Sequence, residues 1–452
     1  MRRIYEDHAY GQGPVTECYW DTTVQRPERG AAIEGEVGAE VAILGAGYTG
    51  LSAALHLARD HGANVAVVEA NGIGWGASGR NGGFATIGGT KASEATLLAR
   101  YGAAAMAEWR GVQKDCPDLV AEILARYGID ADTHSHEGET CVAHRAGAFD
   151  QLREEAEAIR QNYGVEVELM GPSDLPRLGM NGPQFFGAMR MKLGFALNPL
   201  KYVLGLAAAA KAEGARVYEN SPVERITRED GAYLLHTVRG VLRAKKLIVA
   251  TNGYSSEDVP DWMAGRYLPA QSAIIVTREM REEEIAAQGW TTHGMAYDTR
   301  NLLHYFRLMP NRRMLFGVRG GTSATPASQE AMRARARADF EAMFPAWRHV
   351  ETPHYWSGFV CLTRGLTPYI GPIGDWDNAW AGFAWHGNGV ALGTWSGRQL
   401  ARLAVGEGGV PALMARKPGR FPLGTWRRAL LVGAYAWYGY VDRPDPLRPG
   451  EI

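Results

Sequence analysis

The chain has 452 residues, 46% of them hydrophobic, and a formal net charge of −1. That is enough apolar material for a large core and for two domains. The near-neutral charge excludes a global electrostatic draw toward nucleic acid or an anionic membrane surface.

Residues 1–37 read as an extended lead-in. Val41–Leu44 is a continuous apolar run, as expected of a buried parallel strand. After Gly50, apolar residues recur at helical spacing as far as Ala58, and Gly62 ends the helix. Val65–Val68 gives a second buried strand, which completes a β-α-β unit. Residues 93–128 and 148–163 are helical and charged, with a short strand, Glu139–His144, between them. Asn198-Pro199 supplies a cap and a first-turn proline to a helix that stops at Gly214. Strands are expected at Val217–Tyr218, Val223–Ile226, Tyr233–Thr237 and Leu247–Ala250. "QSAIIVT", "LLHYFRLM" and "RMLFGVRGG" then alternate with turns, and a helix covers 326–343. The segment "RRALLVGAYAWYGY" predicts a C-terminal helix packing its aromatic face on the body.

Gly45-x-Gly47-x-x-Gly50 places glycines where a dinucleotide turn needs them, for the turn, for pyrophosphate approach and for helix–strand contact. The helix opening at Tyr48 and Thr49 would direct free N–H groups and its positive dipole end at a phosphate. Glu69, followed by Ala70, ends the second strand where a carboxylate can bind both ribose hydroxyls. A second glycine-rich loop, "GWGASGRNGG", follows directly. A nicotinamide site has no need of it, whereas a flavin extends past the first turn. Gly76, Ala77, Ser78, Arg80, Asn81, Gly82 and Gly83 are therefore cofactor candidates, with a surface ion pair as the plain alternative for Arg80.

"CYWDTT", "VAILGAGYTGLSAALHLA" and "GWGASGRNGGF" together resemble the FAD-dependent D-amino-acid-oxidase superfamily of glycine and sarcosine oxidases. The likeness is strongest to the branch containing gamma-glutamylputrescine oxidoreductases. It continues through "LNPLKYVLGLAAAAKAEGARVYENSPV", "LIVATNGY", "YFRLMPNRRMLFG" and "HGNGVALGTWSGRQLA". The resemblance implies that the Val223 backbone meets adenine and that Thr251, Asn252 and Gly253 lie near the pyrophosphate. It also implies that Gly387, Asn388, Gly389 and Val390 pass the pyrimidine side of the flavin at a helix start. The sarcosine-oxidase branch attaches its flavin through a cysteine, but here Gly358 falls near that position and Cys361 lies three residues away. Non-covalent FAD is the expectation. That branch also uses a lysine near the flavin for oxygen; this chain has none from 247 to 416, and Leu315 stands about there.

The fold expected is α/β, a Rossmann-like FAD-binding domain (38–92, 195–258 and 355–425) interwoven with an antiparallel-sheet, α+β substrate-binding domain (93–194 and 259–354). Residues 426–452 would form a helix and tail on the body. Pocket candidates are His304, Tyr305, Arg307, Tyr267, Trp356 and Trp385. Alternation along a strand separates His304 from Tyr305 and Arg307, an ion pair is an equal reading of Arg307, and core packing is the plain reading of the aromatics. No residue stands out as a catalytic acid or base. His134-x-His136 has no third ligand at motif spacing, so no metal is expected. The four scattered cysteines, the lack of a secretory signal and a longest C-terminal apolar run of about 12 residues, against roughly 20 for a span, lead to a cytoplasmic expectation with no transmembrane segment.

The function expected is oxidation of an amine or amino acid by hydride transfer to flavin N5. The resulting imine hydrolyses and electrons pass to O2. Alternatives are a dehydrogenase with a quinone or protein acceptor, a flavin-binding scaffold, and an NAD-dependent dehydrogenase, which the second glycine-rich loop and "HGNGV" oppose.

Overall fold

A computed structural model describes residues 1–11 and 17–443. The β-α-β unit is its starting point. The strand Gly35–Leu44 runs parallel to Val65–Val68 on one side and to Gly240–Val249 on the other. The helix Tyr48–His61 crosses between the first two and stops at Gly62, whose left-handed backbone turns the chain. Arg216–Tyr218 extends this sheet at one edge; Ala379–Phe383 and Tyr369–Pro372 extend it at the other. A hairpin, Arg225–Glu229 with Ala232–His236, pairs along Gly240–Val249. The apolar strand ends are fully buried, because helices cover one face of the sheet and loops the other.

The second sheet has the order His354–Leu362, Leu268–Val276, Met314–Arg319, His304–Leu308, Met295–Asp298, Glu139–Val142, Ala188–Met191, Val167–Met170. It is antiparallel except where Met295–Asp298 meets Glu139–Val142. Its outer face packs on the helix Pro326–Met343 through Phe306, Phe316, Phe340, Phe344 and Trp347.

Two segments sit elsewhere than the sequence placed them. The helix Glu94–Tyr127 buries Trp109, Val112, Cys116 and Leu119 in the core shared with the helices Tyr48–His61, Pro199–Ala212 and Ala391–Ala404. The strand His354–Leu362, assigned to the nucleotide side, instead pairs with Leu268–Val276. Each has the expected secondary structure; its partner is a long-range choice that periodicity does not encode.

The C-terminal helix Ala429–Val441 also differs from expectation. Only Leu431 of its residues is buried, while Val432, Trp437 and Tyr440 are exposed. It is held at its ends instead. The Arg427 guanidinium, fully buried, pairs with Glu257 through two hydrogen bonds of 2.5 and 3.0 Å and donates to the Tyr267 carbonyl at 2.8 Å. Asp442 accepts from the backbone N–H groups of Asn301 and Leu302 at 3.0 and 2.9 Å. The predicted tail, 444–452, lies outside the described residues. No described helix is long and apolar enough to cross a membrane.

Removing one partner of the Arg427–Glu257 pair strands a buried charge. Glu257→Ala is expected to cost about 3–5 kcal/mol of stability, read by chemical denaturation.

Candidate functional site

Where the strand Gly35–Leu44 ends, three backbones converge. Gly45 adopts φ +106°, and a Cβ there would come within 3.0 Å of the Ala250 carbonyl. A side chain on Gly50 would collide with the Gly45 carbonyl oxygen. The helix can therefore start hard against the strand end, with its first N–H groups turned outward. Ser78 faces them: its hydroxyl accepts from the Tyr48 N–H at 3.1 Å. Glu69 accepts from the Ala46 and Asn71 N–H groups at 2.9 and 3.0 Å. Burial pushes the Glu69 carboxyl up, and those two donors offset part of the shift.

A cavity of about 450 Å3 opens from this turn. Gly45, Gly47, Tyr48, Thr49, Glu69, Ala70, Val223, Thr251 and Asn252 line one end, and Gly76, Ala77, Ser78, Arg80, Asn81 and Gly82 form a side wall. Gly50, Gly83 and Gly253 stand behind the wall, against Gly45, Leu197 and Phe359. Arg80 makes no ion pair among the described residues. It stacks over Trp75 at 4.2 Å, and its Nε has no hydrogen-bond partner.

Gly387, Asn388, Gly389 and Val390 line the other end, just before the helix Ala391–Ala404. The Asn388 amide donates to the Ile87 carbonyl and to Thr86 Oγ1. His386 Nδ1 donates to the Gly89 carbonyl at 3.0 Å, and its Nε2 accepts from the Thr363 N–H at 3.3 Å. Burial pushes this imidazole down to about 3, so it is a neutral strut. Among the described residues no group of acids, cysteines and histidines is arranged to hold a metal.

The second sheet roofs the cavity. Tyr305 lies over Gly317 and its hydroxyl meets Ser272 Oγ at 2.9 Å. Trp385 also lines the space. The other pocket candidates do not. His304 points to the opposite face, with Nδ1 2.7 Å from Asp298, Nε2 3.3 Å from Asp339 and its ring stacked on Phe316. Arg307 shares Tyr305's face but is used up behind the wall, donating to the Leu197 and Gly83 carbonyls at 2.8 and 3.4 Å. Burial lowers Arg307 to about 9. Tyr267 donates to the Ser255 carbonyl at 2.7 Å and lies under Arg427. Trp356 Nε1 donates to the Arg80 carbonyl at 2.7 Å and braces that loop.

Glu139, Lys91, Arg319 and Tyr297 line the cavity as well, and no motif announced them. Only alternation along "RMLFGVRGG" holds a trace, since Tyr305 pairs with Gly317 and Arg319 is two residues on.

A family model described as DAO, FAD dependent oxidoreductase, matches residues 40–403. The chain belongs to this family. It is 32% identical over 449 residues to a probable oxidoreductase OrdL of Rhizobium meliloti (strain 1021), covering 96% of this chain and 99% of that one. It is 28% identical over 392 residues to the gamma-glutamylputrescine oxidoreductase of Escherichia coli (strain K12), covering 87% of this chain and 89% of that protein. Among solved structures, glycine oxidase from Geobacillus kaustophilus superposes with a TM-score of 0.68 at 19% identity, over 84% of this chain and all (100%) of that one. FAD is the cofactor of the family, and the cavity suits it: free helix N–H groups and a carboxylate at one end, a glycine-rich loop at the other.

His304 gives a structural test. Burial opposes the imidazolium, but Asp298 and then Asp339 outweigh it and hold the imidazole above its ordinary value of 6.5. Its stabilising contribution is complete below 6.5 and fades as pH rises through the raised value. The melting-temperature gap between wild type and His304→Gln is expected to be widest near pH 6 and to narrow toward pH 9.

Proposed function

We propose that the protein oxidises the carbon beside an amine nitrogen with a non-covalently held FAD. The reading rests chiefly on one cavity joining the 45–50 turn to the 386–390 loop. In this reading the first N–H groups of the helix Tyr48–His61, with Ser78, hold the pyrophosphate, and Thr251 and Asn252 close over it. Glu69 binds the ribose hydroxyls, and the Val223 backbone meets adenine. The 76–83 wall carries the ribityl chain and the ring edge. The N–H groups of Gly387 to Val390 supply positive potential where negative charge develops on reduction.

Bound FAD would supply the hydride acceptor for the substrate carbon, and the imine formed would hydrolyse to a carbonyl and an amine. The protein's own part is to orient the amine under the sheet, with Tyr305 and Trp385 as walls, and to exclude water. Cys361 lines the cavity, but burial pushes its thiol up, which disfavours the thiolate that covalent attachment would need. In this reading O2 would accept the electrons and be released as hydrogen peroxide. A second reading, transfer to a quinone or protein acceptor, draws on Leu315 standing roughly where the resemblance to sarcosine-type oxidases implies a lysine.

The purified protein is expected to be yellow, to release its colour on acid precipitation, and to bleach with an amine under anaerobic conditions. Peroxide on admitting air supports the oxidase reading; bleaching without peroxide supports the second. A valine at Gly47 would press on Ser78, since a Cβ there already comes within 2.9 Å of its hydroxyl. Gly47→Val is expected to weaken FAD binding at least tenfold, about 1.4 kcal/mol, read by flavin-fluorescence titration.

A further inference from the structure

Nine large hydrophobic side chains are exposed among the described residues, and five of them share one stretch: Leu423, Trp426, Val432, Trp437 and Tyr440. The helix Ala429–Val441 contains no charged, amide, serine or threonine side chain. Exposed Ala429, Val432, Gly433, Ala436, Trp437 and Tyr440 recur at spacings of three and four, so they form one stripe along it. On its other side Leu431 and Tyr435 pack, with Phe421, on Leu268, Ala270 and Leu362 of the second sheet. An apolar stripe left in water is a contact surface waiting for an occupant.

The chain leading into this helix is basic. Residues 408–441 include Arg416, Lys417, Arg420, Arg427 and Arg428, and no Asp or Glu. Glu257 and Glu6 take up Arg427 and Arg428. Arg416, Lys417 and Arg420 are exposed and form no ion pair among the described residues. Two arginines from other segments join them. Arg364 donates to the Arg420 carbonyl at 3.3 Å, and Arg100 donates to the Gly365 carbonyl at 3.0 Å. Both are exposed, and neither has an acidic partner among the described residues. A chain of net charge −1 thus gathers unpaired cations beside its apolar stripe.

Both features flank the 386–390 loop. Tyr435, on the inner side of the helix, faces Arg319, which lies against Gly387. The Thr363 N–H, next to Arg364, donates to His386.

We propose that this face docks on an anionic lipid surface, with the helix Ala429–Val441 lying in the plane of the headgroups. At about 20 Å the helix is too short to cross a bilayer and suits a shallow seat. Its tryptophan and tyrosine rings belong at headgroup level, and the cations beside it would meet lipid phosphates. Other occupants fit less well. Protein partners exchange about one hydrogen bond per 100–200 Å2, and the stripe offers only the tips of Trp437 and Tyr440. A second copy would bring the same cations together with no acid between them. Docking is independent of the amine oxidation proposed above, and it turns the 386–390 end of the cavity toward the lipid.

The test is flotation of the full-length, FAD-loaded protein with two kinds of vesicle: phosphatidylcholine alone, and an equal mixture of phosphatidylcholine and phosphatidylglycerol. Binding to the mixed vesicles is expected to be at least tenfold tighter and to weaken as salt is raised. Trp426→Ser with Trp437→Ser should weaken it at least tenfold at any salt concentration. Arg416→Gln, Lys417→Gln and Arg420→Gln together should weaken it at least tenfold at low salt and flatten the salt dependence. All five side chains are exposed, so flavin content, melting temperature and turnover without vesicles should stay at wild type. Those readouts separate lost docking from lost folding, and the wild-type comparison stands without any variant. Flotation with neither vesicle, equal affinity for both, or binding that both variants leave unchanged overturns the proposal. So does a concentration-dependent dimer that Trp437→Ser dissolves while vesicles stay unbound, which would assign the stripe to a second copy.

Discussion

The closeness of backbone to backbone at Gly45 and Gly50 is the constraint on which the rest depends. Only with hydrogen at those two positions can the helix Tyr48–His61 begin against the end of the central strand. That contact fixes where the unpaired N–H groups point and therefore where the cavity starts. It also sets the height at which Ala250 and Thr251 pass, because their strand lies parallel and in register with Gly35–Leu44. At the far end of the cavity Asn388 ties the 386–390 loop to Thr86. The junction does no chemistry, yet the cavity opens directly from it.

Local signals in the sequence reached the nucleotide half well. The turn, its helix, the left-handed stop at Gly62 and the Asn198 cap are settled by residues within a few positions of one another, so a linear reading finds them. Strand alternation also separated His304 from Tyr305, as the two faces of that strand now show. The substrate half was less legible, for a physical reason. Glu139, Lys91 and Arg319 meet one space because three separate segments are brought together by pairing in one sheet and by a loop from the other domain. None carries a spacing motif, since their proximity comes from register rather than from sequence distance. The aromatic candidates failed differently. Tyr267 and Trp356 are near the site, but each spends its polar atom on a backbone carbonyl and serves as scaffold.

Electrostatically the cavity is uneven. At the end formed by the 45–50 turn, Glu69 is satisfied internally by the N–H groups that close on it. At the roofed end the cations Lys91 and Arg319 and the acid Glu139 line the same cavity. Protein interiors tolerate such a pattern poorly, and it persists where a ligand completes it. Arg307, 1% exposed, donates to two carbonyls and lies against two aromatic rings, and so belongs to the scaffold.

The order in which the chain leaves the ribosome gives the 386–390 loop a further meaning. The central strand must wait for Gly240–Val249, some 200 residues later, before its second neighbour exists. The wall beside Arg319 arrives only with residues 386–390. At synthesis rates of about 5–20 residues per second, the nascent chain spends many seconds with an open-ended groove in place of a pocket. Cofactor capture is thus confined to the last stretch of synthesis or to the finished chain, and the exposed apolar strands before that moment are the period in which a chaperone matters most.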